Sequence, residues 1–124
     1  DIVLQGYEAH LWLRPGVSLD QARRGVARAL RDPHRAPRLT LVLGAGNITG
    51  IPALDVLTAL YQEASAVVVK LNPVNARVGA AMKRAFAPLI ELGVLLIIEG
   101  GQEVGAALIH HESIDAVHIT GSRH

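Results

Sequence analysis

Four short runs of apolar residues punctuate the chain from residue 39 onward, each bounded by glycine, proline or polar residues. They occupy positions 39–43, 66–69, 94–98 and 116–119. Runs that are apolar on both faces are typical of parallel strands covered by helices on both sides. Each gap between runs is long enough for the one crossover helix that a pair of parallel strands requires.

The gaps themselves carry apolar residues at the spacing of a helix face. The predicted stripes are Leu54, Leu57, Leu60, Tyr61 and Ala64 in the first gap, Val78, Ala81, Met82, Ala85, Phe86 and Leu89 in the second, and Val104, Ala107, Leu108 and His111 in the third. Pro52 suits a first turn, Gly93 a position just after a helix, and Pro88 predicts a kink or a broken last turn. We therefore expect an α/β fold with an open parallel sheet of about four strands and right-handed crossover helices, a partial Rossmann-like unit over residues 39–124.

Residues 1–38 have a different pattern and form a separate predicted region. Residues 7–14 suit an extended segment that ends at Pro15-Gly16. Ser18 and Gln21 have the spacing of a capping box, which predicts an amphipathic helix to about Leu30. This helix carries the arginines Arg23, Arg24, Arg28 and Arg31. They form either a phosphate-binding face or the solvated face of the helix. A linker over residues 31–38, with two prolines, completes this region.

Composition excludes several classes of protein. Half of the 124 residues are hydrophobic and 19% are charged, which excludes intrinsic disorder. A net charge of +1 gives no field that favours nucleic acid, and no apolar run approaches a membrane span. The chain has no cysteine, so it carries neither a thiolate nucleophile nor a cysteine-ligated metal. Adjacent His110 and His111 point apart on a helix, and we expect no metal site.

A glycine-rich turn, Gly44-Ala45-Gly46-Asn47-Ile48-Thr49-Gly50, follows the first predicted strand and precedes a helix. Glycines at this place allow backbone N–H groups to approach a pyrophosphate, although a tight strand-to-helix turn needs glycine without any ligand. Asn47 has a second interpretation as a cap of the following helix. The end of the second strand, where an acidic ribose partner is expected in a simple dinucleotide fold, has Lys70 instead.

Four motifs in order resemble the cofactor-binding region of the aldehyde dehydrogenase superfamily. They are the turn with Asn47, the stretch Val69-Lys70-Leu71-Asn72-Pro73, the helix start Gly101-Gln102-Glu103-Val104-Gly105, and His118-Ile119-Thr120-Gly121-Ser122. The second is similar to that family's V-x-K-P-S-E and the fourth to its F-T-G-S. Together the motifs extend over about two-thirds of the chain.

The resemblance implies NAD or NADP as cofactor and a site for it at these motifs. It places Lys70 beside the adenosine ribose, Gly101 and Gly105 around the adenine, and Gly121 and Ser122 at the pyrophosphate. The other cofactor residues on these motifs are Gly44, Gly46, Asn72 and Thr120. Asn47 matches the asparagine whose amide donates to the oxyanion of the thiohemiacetal, a role that acyl transfer requires.

This sequence departs from the family pattern at four places. Ala45 and Gly46 replace the proline and tryptophan of P-W-N, Pro73 replaces the ribose-binding glutamate, and no phenylalanine precedes Thr120-Gly121-Ser122 as it does in F-T-G-S. The isolated histidines, His118 included, have a structural or surface role as their simplest interpretation. The family's nucleophilic cysteine and general-base glutamate lie downstream of F-T-G-S, and the chain stops at His124.

We therefore expect a fragment of an oxidoreductase that acts on an aldehyde or an activated acyl substrate, inactive alone because it lacks the nucleophile. The alternative is a stand-alone nucleotide-binding or interaction module. A homo-oligomer in the cytoplasm is expected, with neither nucleic acid nor a membrane as partner. The chain begins with Asp1 rather than methionine, which predicts a processed or shortened piece.

Overall fold

A parallel sheet of four strands forms the centre of the fold in the computed structural model, which describes residues 6, 8 and 10–120. The strands are β1 (Leu39–Leu43), β2 (Ala66–Leu71), β3 (Leu95–Glu99) and β4 (Ala116–Ile119). Their order across the sheet is β3-β2-β1-β4. The chain therefore builds outward from β1 through β2 to β3, and then returns to place β4 on the other side of β1. This confirms the predicted open parallel α/β sheet.

Helices connect the strands at the predicted places. The crossover elements are α3 (Ile51–Tyr61), a 3-10 turn (Pro73–Asn75), α4 (Ala76–Ala85), α5 (Ala87–Glu91) and α6 (Gln102–Ile109). Two short helices precede the sheet, α1 (Leu19–Gly25) and α2 (Arg28–Arg31). No helix in residues 10–120 is both long and apolar enough to cross a membrane.

The main core lies on the face of the sheet that α3 and α4 cover. Its buried members are Val42, Val56, Ala59, Val67, Val69, Leu71, Met82, Leu95 and Ile97. Aliphatic side chains build this core, as a chain with 3% aromatic residues requires. The opposite face has α6 as its crossover helix, and there Leu96 of β3 and Ile119 of β4 remain 53% and 65% exposed.

The predicted buried face of α3 is only partly correct: Leu60 packs against the core, but Leu54 and Tyr61 do not belong to it. Pro52, Val56 and Ala59 are the buried residues of this helix, whereas Leu54 and Tyr61 are 64% and 56% exposed. The helix is apolar on nearly every side, so its period does not single out one stripe. Smaller side chains allow α3 to pack closely on β1 and β2, and they take the core positions.

The second crossover confirms the predicted effects of proline and glycine. The helix breaks at Phe86 (φ −102°, ψ 15°), and Pro88 lies in the first turn of α5. Val78, Phe86 and Leu89 pack on the core beside buried Met82. Gly93 follows the end of α5 with φ at +72°, a conformation that disfavours residues with a Cβ.

Two predicted helix ends are wrong. The capping box of Ser18 and Gln21 is present, but α1 ends at Gly25 because Ala27 adopts a left-handed conformation with φ at +54°. A separate short helix, α2, follows in place of one helix to Leu30. The helix α6 ends at Ile109, so His111 lies beyond it; there its Nδ1 accepts from the N–H of Ser113 at 3.2 Å.

Candidate functional site

The carboxyl ends of β1, β2 and β4 lie side by side at one edge of the sheet. Parallel pairing sets Leu43 opposite Lys70 on one side and opposite Ile119 on the other. The direction of strand addition reverses between β1 and β4, because β2 lies on one side of β1 and the later β4 on the other. Ligands of open α/β sheets bind outside the carboxyl ends at such a reversal.

A cavity of about 290 Å³ opens beside this edge, between β1, β2 and α6. It contains four of the residues that the sequence predicted as cofactor contacts: Gly44, Lys70, Asn72 and Gly105. The remaining lining residues are Leu43, Gln102, Ala106 and Ile109. Side chains from separate motifs therefore come together at one concave surface.

Among the residues that the structure describes, Lys70 is the only charged side chain that lines this cavity. Its residue is 9% exposed, and no carboxylate in the described part of the chain lies within ion-pair distance of it. Nζ of Lys70 retains access to solvent, because it lies beside Gly105 at the wall of the cavity. An anionic or hydroxyl-bearing ligand in the cavity would supply the partner.

Gly105 on α6 faces the side chain of Lys70. A Cβ placed on this buried glycine would lie 3.9 Å from Nζ of Lys70 and 3.9 Å from Cδ2 of Leu43. The open space next to Gly105 is therefore the same space that the ammonium group of Lys70 faces. Any larger side chain at this position would enter the cavity.

The glycines of the first turn pack against protein groups. A Cβ on Gly44 would lie 3.2 Å from the carbonyl oxygen of Lys70, to which the Gly44 N–H donates at 2.9 Å. A Cβ on Gly46 would lie 2.9 Å from Nδ2 of Asn72. Close packing of the turn on the end of β2 therefore accounts for both glycines, and Gly44 reaches the cavity as well.

Asn47 lies exposed in the turn and does not cap the following helix. The N-cap of α3 is Gly50, without a side-chain hydrogen bond, so the capping interpretation of Asn47 is wrong. Asn72 has a local partner, since its Oδ1 accepts from the N–H of Val74 at 3.0 Å. Asn75 holds the turn in place by donating from Nδ2 to the carbonyl of Ala45 at 2.7 Å.

The start of α6 is capped by the chain's own acidic residue. Gly101 is the N-cap, and its N–H donates to Oε1 of Glu103 at 3.2 Å. Glu103 lies in the first turn of α6, where a negative charge interacts favourably with the positive end of the helix dipole. Gly101 is absent from the cavity lining, and so is Gly46.

A second group of polar side chains lies at the end of β4, on the face of the sheet covered by α3. The Thr120 hydroxyl donates to Oδ2 of Asp55 at 2.9 Å. Nε2 of His118 lies 3.3 Å from Oδ1 of Asp55 and 3.2 Å from Oγ1 of Thr120. We name Asp55, His118 and Thr120 the β4 polar cluster.

The sequence predicted several residues of the cavity beside Lys70 but little of the β4 polar cluster. It anticipated neither Asp55 nor a partner for His118, although Asp55 is the one charged residue in α3, and that isolation was a usable signal. Thr120 lies at the same edge as Lys70 but on the opposite face, away from the cavity. Gly121 and Ser122 lie outside the described residues. Within the described ranges no cluster of three or more metal-binding side chains occurs.

Comparison with known proteins gives two matches, one of which is described below. The chain is similar to N-succinylglutamate 5-semialdehyde dehydrogenase of Novosphingobium aromaticivorans, with 33% identity over 108 residues. The match covers 86% of this chain and 22% of that enzyme, so the chain spans about a fifth of the length of the relative. No protein-family model matches the chain, and no solved structure does.

Proposed function

Because the chain is related to the aldehyde dehydrogenase superfamily over most of its length, we propose that it is a nicotinamide-dinucleotide-binding unit of an aldehyde dehydrogenase-like oxidoreductase. The observation that carries this proposal is Lys70, an ammonium group without a carboxylate partner at the wall of a cavity beside the carboxyl edge of a parallel sheet. That edge is where open α/β folds bind nucleotides.

The residues present fit one part of a dinucleotide. An ammonium group donates to ribose hydroxyls and pairs with a phosphate, and Gly105 leaves space directly above it. The cavity of about 290 Å³ is suited to a portion of such a ligand, since apolar and glycine residues line it together with Lys70, Asn72 and Gln102. When bound, the nicotinamide group supplies a hydride acceptor; Lys70 and the cavity beside it would hold the other end of the dinucleotide.

Lys70→Ala tests the proposal. We expect NADP binding to weaken more than NAD binding, because a 2′-phosphate gains a charge-assisted hydrogen bond from lysine. The loss for NADP should be about tenfold to a hundredfold, as for hydrogen bonds to charged groups. Calorimetric titration of the 124-residue chain with both dinucleotides measures it.

Lys83→Ala is the matched control for that experiment. Lys83 is a half-exposed lysine on α4 whose Nζ lies 3.2 Å from Oε1 of Glu99, away from the cavity. Its replacement should leave both affinities unchanged. Equal affinities of the Lys70→Ala variant and the original chain would remove Lys70 from the site, and absence of any binding by the original chain would contradict the proposed function.

The same proposal includes a role in oxidation of an aldehyde or reduction of an activated acyl group, which needs a nucleophile from elsewhere. The chain contains no cysteine to form a thiohemiacetal. We expect the pure 124-residue polypeptide to show no aldehyde-dependent reduction of NAD or NADP in a spectrophotometric assay. Aldehyde turnover that a thiol-directed reagent leaves intact would contradict the cysteine-dependent mechanism for this chain.

A further inference from the structure

The β4 polar cluster lies next to buried apolar residues, at positions where apolar side chains would also pack. His118 pairs in register with Val42, which is fully buried, and Asp55 precedes Val56 on α3, also fully buried. The Asp55 side chain is 13% exposed, so its carboxylate has lost most of its hydration. Such a group costs stability unless its partners replace the lost water, and here His118 and Thr120 are those partners.

The hydrogen bonds fix the direction of every proton in the cluster. Threonine has a single hydroxyl hydrogen, and Thr120 directs it to Oδ2 of Asp55. Nε2 of His118 faces the carboxylate at 3.3 Å and the threonine oxygen at 3.2 Å, two acceptors. Nε2 therefore carries the hydrogen of the neutral ring, and Nδ1 has the free lone pair.

An outside ligand thus meets acceptors alone while the ring is neutral. The remaining lone pair of Thr120, the spare lone pairs of Asp55 and Nδ1 of His118 all accept hydrogen bonds. The His118 side chain is 37% exposed, so a ligand can reach the cluster. The complementary ligand group is a hydrogen-bond donor, and a phosphate or carboxylate is disfavoured.

We propose that Asp55, His118 and Thr120 recognise the carboxamide of the nicotinamide group, an inference that rests on the proposed function. Lys70 on β2 and the cluster on β4 flank the end of β1, separated by two strand spacings of about 4.8 Å each. A dinucleotide with its adenosine ribose at Lys70 extends across this edge toward β4. Of the two bases, the nicotinamide then lies nearer to the cluster, and its amide NH₂ is a donor.

Two ligands that differ only in this group provide the test. Nicotinic acid adenine dinucleotide has a carboxylate in place of the carboxamide, so it offers no donor and faces the charge of Asp55. We expect the 124-residue chain to bind NAD about tenfold more tightly than this analogue in calorimetric titrations. Equal affinities would overturn the inference, whereas failure of both ligands to bind would overturn the proposed function itself.

Two variants assign the discrimination to the cluster. Asp55→Asn retains the shape of the side chain but removes its charge and adds an amide donor. The ratio of the affinity for NAD to that for nicotinic acid adenine dinucleotide should therefore fall toward one. Thr120→Val, which removes the hydroxyl, should lower the ratio as well. Asp20→Asn, at an exposed position in the first turn of α1, is the control and should retain the full ratio. A merely structural role would weaken both ligands equally, and an unchanged ratio in both variants would overturn the inference.

A measurement without ligand tests the premise of the inference. Nitrogen chemical shifts of the His118 ring distinguish its two neutral forms, and the hydrogen is expected on Nε2. A ring with its hydrogen on Nδ1 would contradict the inference whatever the binding data show.

Discussion

At Gly105 a larger side chain would stabilise the helix but would occupy space that a ligand needs. Glycine inside a helix costs up to about 1 kcal/mol relative to a good helix former. The nearest atoms to a Cβ at this position are 3.9 Å away, an ordinary contact, so the fold leaves room for a side chain. Space for a ligand beside Lys70 therefore explains this glycine better than packing does.

Gly105→Leu separates the two effects. We expect the thermal unfolding temperature to stay level or rise, because leucine favours the helix, while dinucleotide affinity falls about tenfold or more as the side chain fills the cavity. Thermal denaturation followed by circular dichroism and calorimetric titration measure the two quantities. Ala107→Leu, at an exposed position of the same helix outside the cavity lining, is the comparison. Retained binding by Gly105→Leu would show that the cavity does not hold the ligand.

Site residues near one another along the chain were easier to predict than those joined by the fold. The motif containing Lys70 and Asn72 lies on one strand and its following turn, so the sequence shows their proximity directly. The partnership of Asp55 with His118 joins α3 to β4 across 63 positions of the chain, and only the sheet order brings them together. An acidic residue in an apolar helix signals a buried partner, but it does not say which one.

At the scale of elements, the two faces of the sheet differ sharply in the burial of their side chains. Leu71 of β2 is 1% exposed and belongs to the main core, whereas Leu96 of β3 is 53% exposed on the other face. Replacing each of these leucines by alanine therefore measures how much of the free energy of unfolding depends on the face covered by α3 and α4.

Leu71→Ala should lower the free energy of unfolding by about 2–5 kcal/mol, because it removes contacts and leaves a cavity in a packed core. Leu96→Ala should lower it by less than about 1 kcal/mol, since the side chain loses little burial. Urea unfolding curves of both variants provide the numbers. Similar losses for the two variants would mean that the exposed face of the sheet is covered in solution.

The strands and the helix breaks were predictable because their signals are local. Short apolar runs between turn residues gave all four strands, and Pro88 and Gly93 marked the break and the end of the second crossover. The face of α3 was not predictable, because Leu54, Leu57 and Leu60 are as apolar as the residues that are buried. Which stripe packs depends on how closely the helix approaches β1 and β2, a tertiary property.

For the molecule as a whole, the sparsely covered face of the sheet predicts association. Leu96, Val117 and Ile119 are between 41% and 65% exposed on β3 and β4, the two edge strands. Edge strands have unpaired backbone groups, and exposed apolar patches are typical of contact surfaces. A second copy of the chain has the same surface and is the partner that we expect.

Light scattering over a range of concentrations tests self-association. We expect a mass that rises above 13.2 kDa with concentration. Ile119→Lys should return the mass to that of one chain, because a charge at this edge opposes strand pairing. Leu54→Lys, on an equally exposed leucine of α3, should not. A mass near 13.2 kDa at all concentrations would contradict self-association.

The position of β4 beside β1 also has a consequence for synthesis on the ribosome. At the amino ends of these strands the Leu39 N–H donates to Oδ2 of Asp115 and the Asp115 N–H to the carbonyl of Leu39, across 76 positions of the chain. At the usual pace of translation those positions take roughly 4 to 15 seconds to emerge. Throughout that interval β1 can pair only with β2, and its other edge is open to chaperones or to a neighbouring nascent chain. A slow stretch of codons after residue 99 would lengthen this exposure.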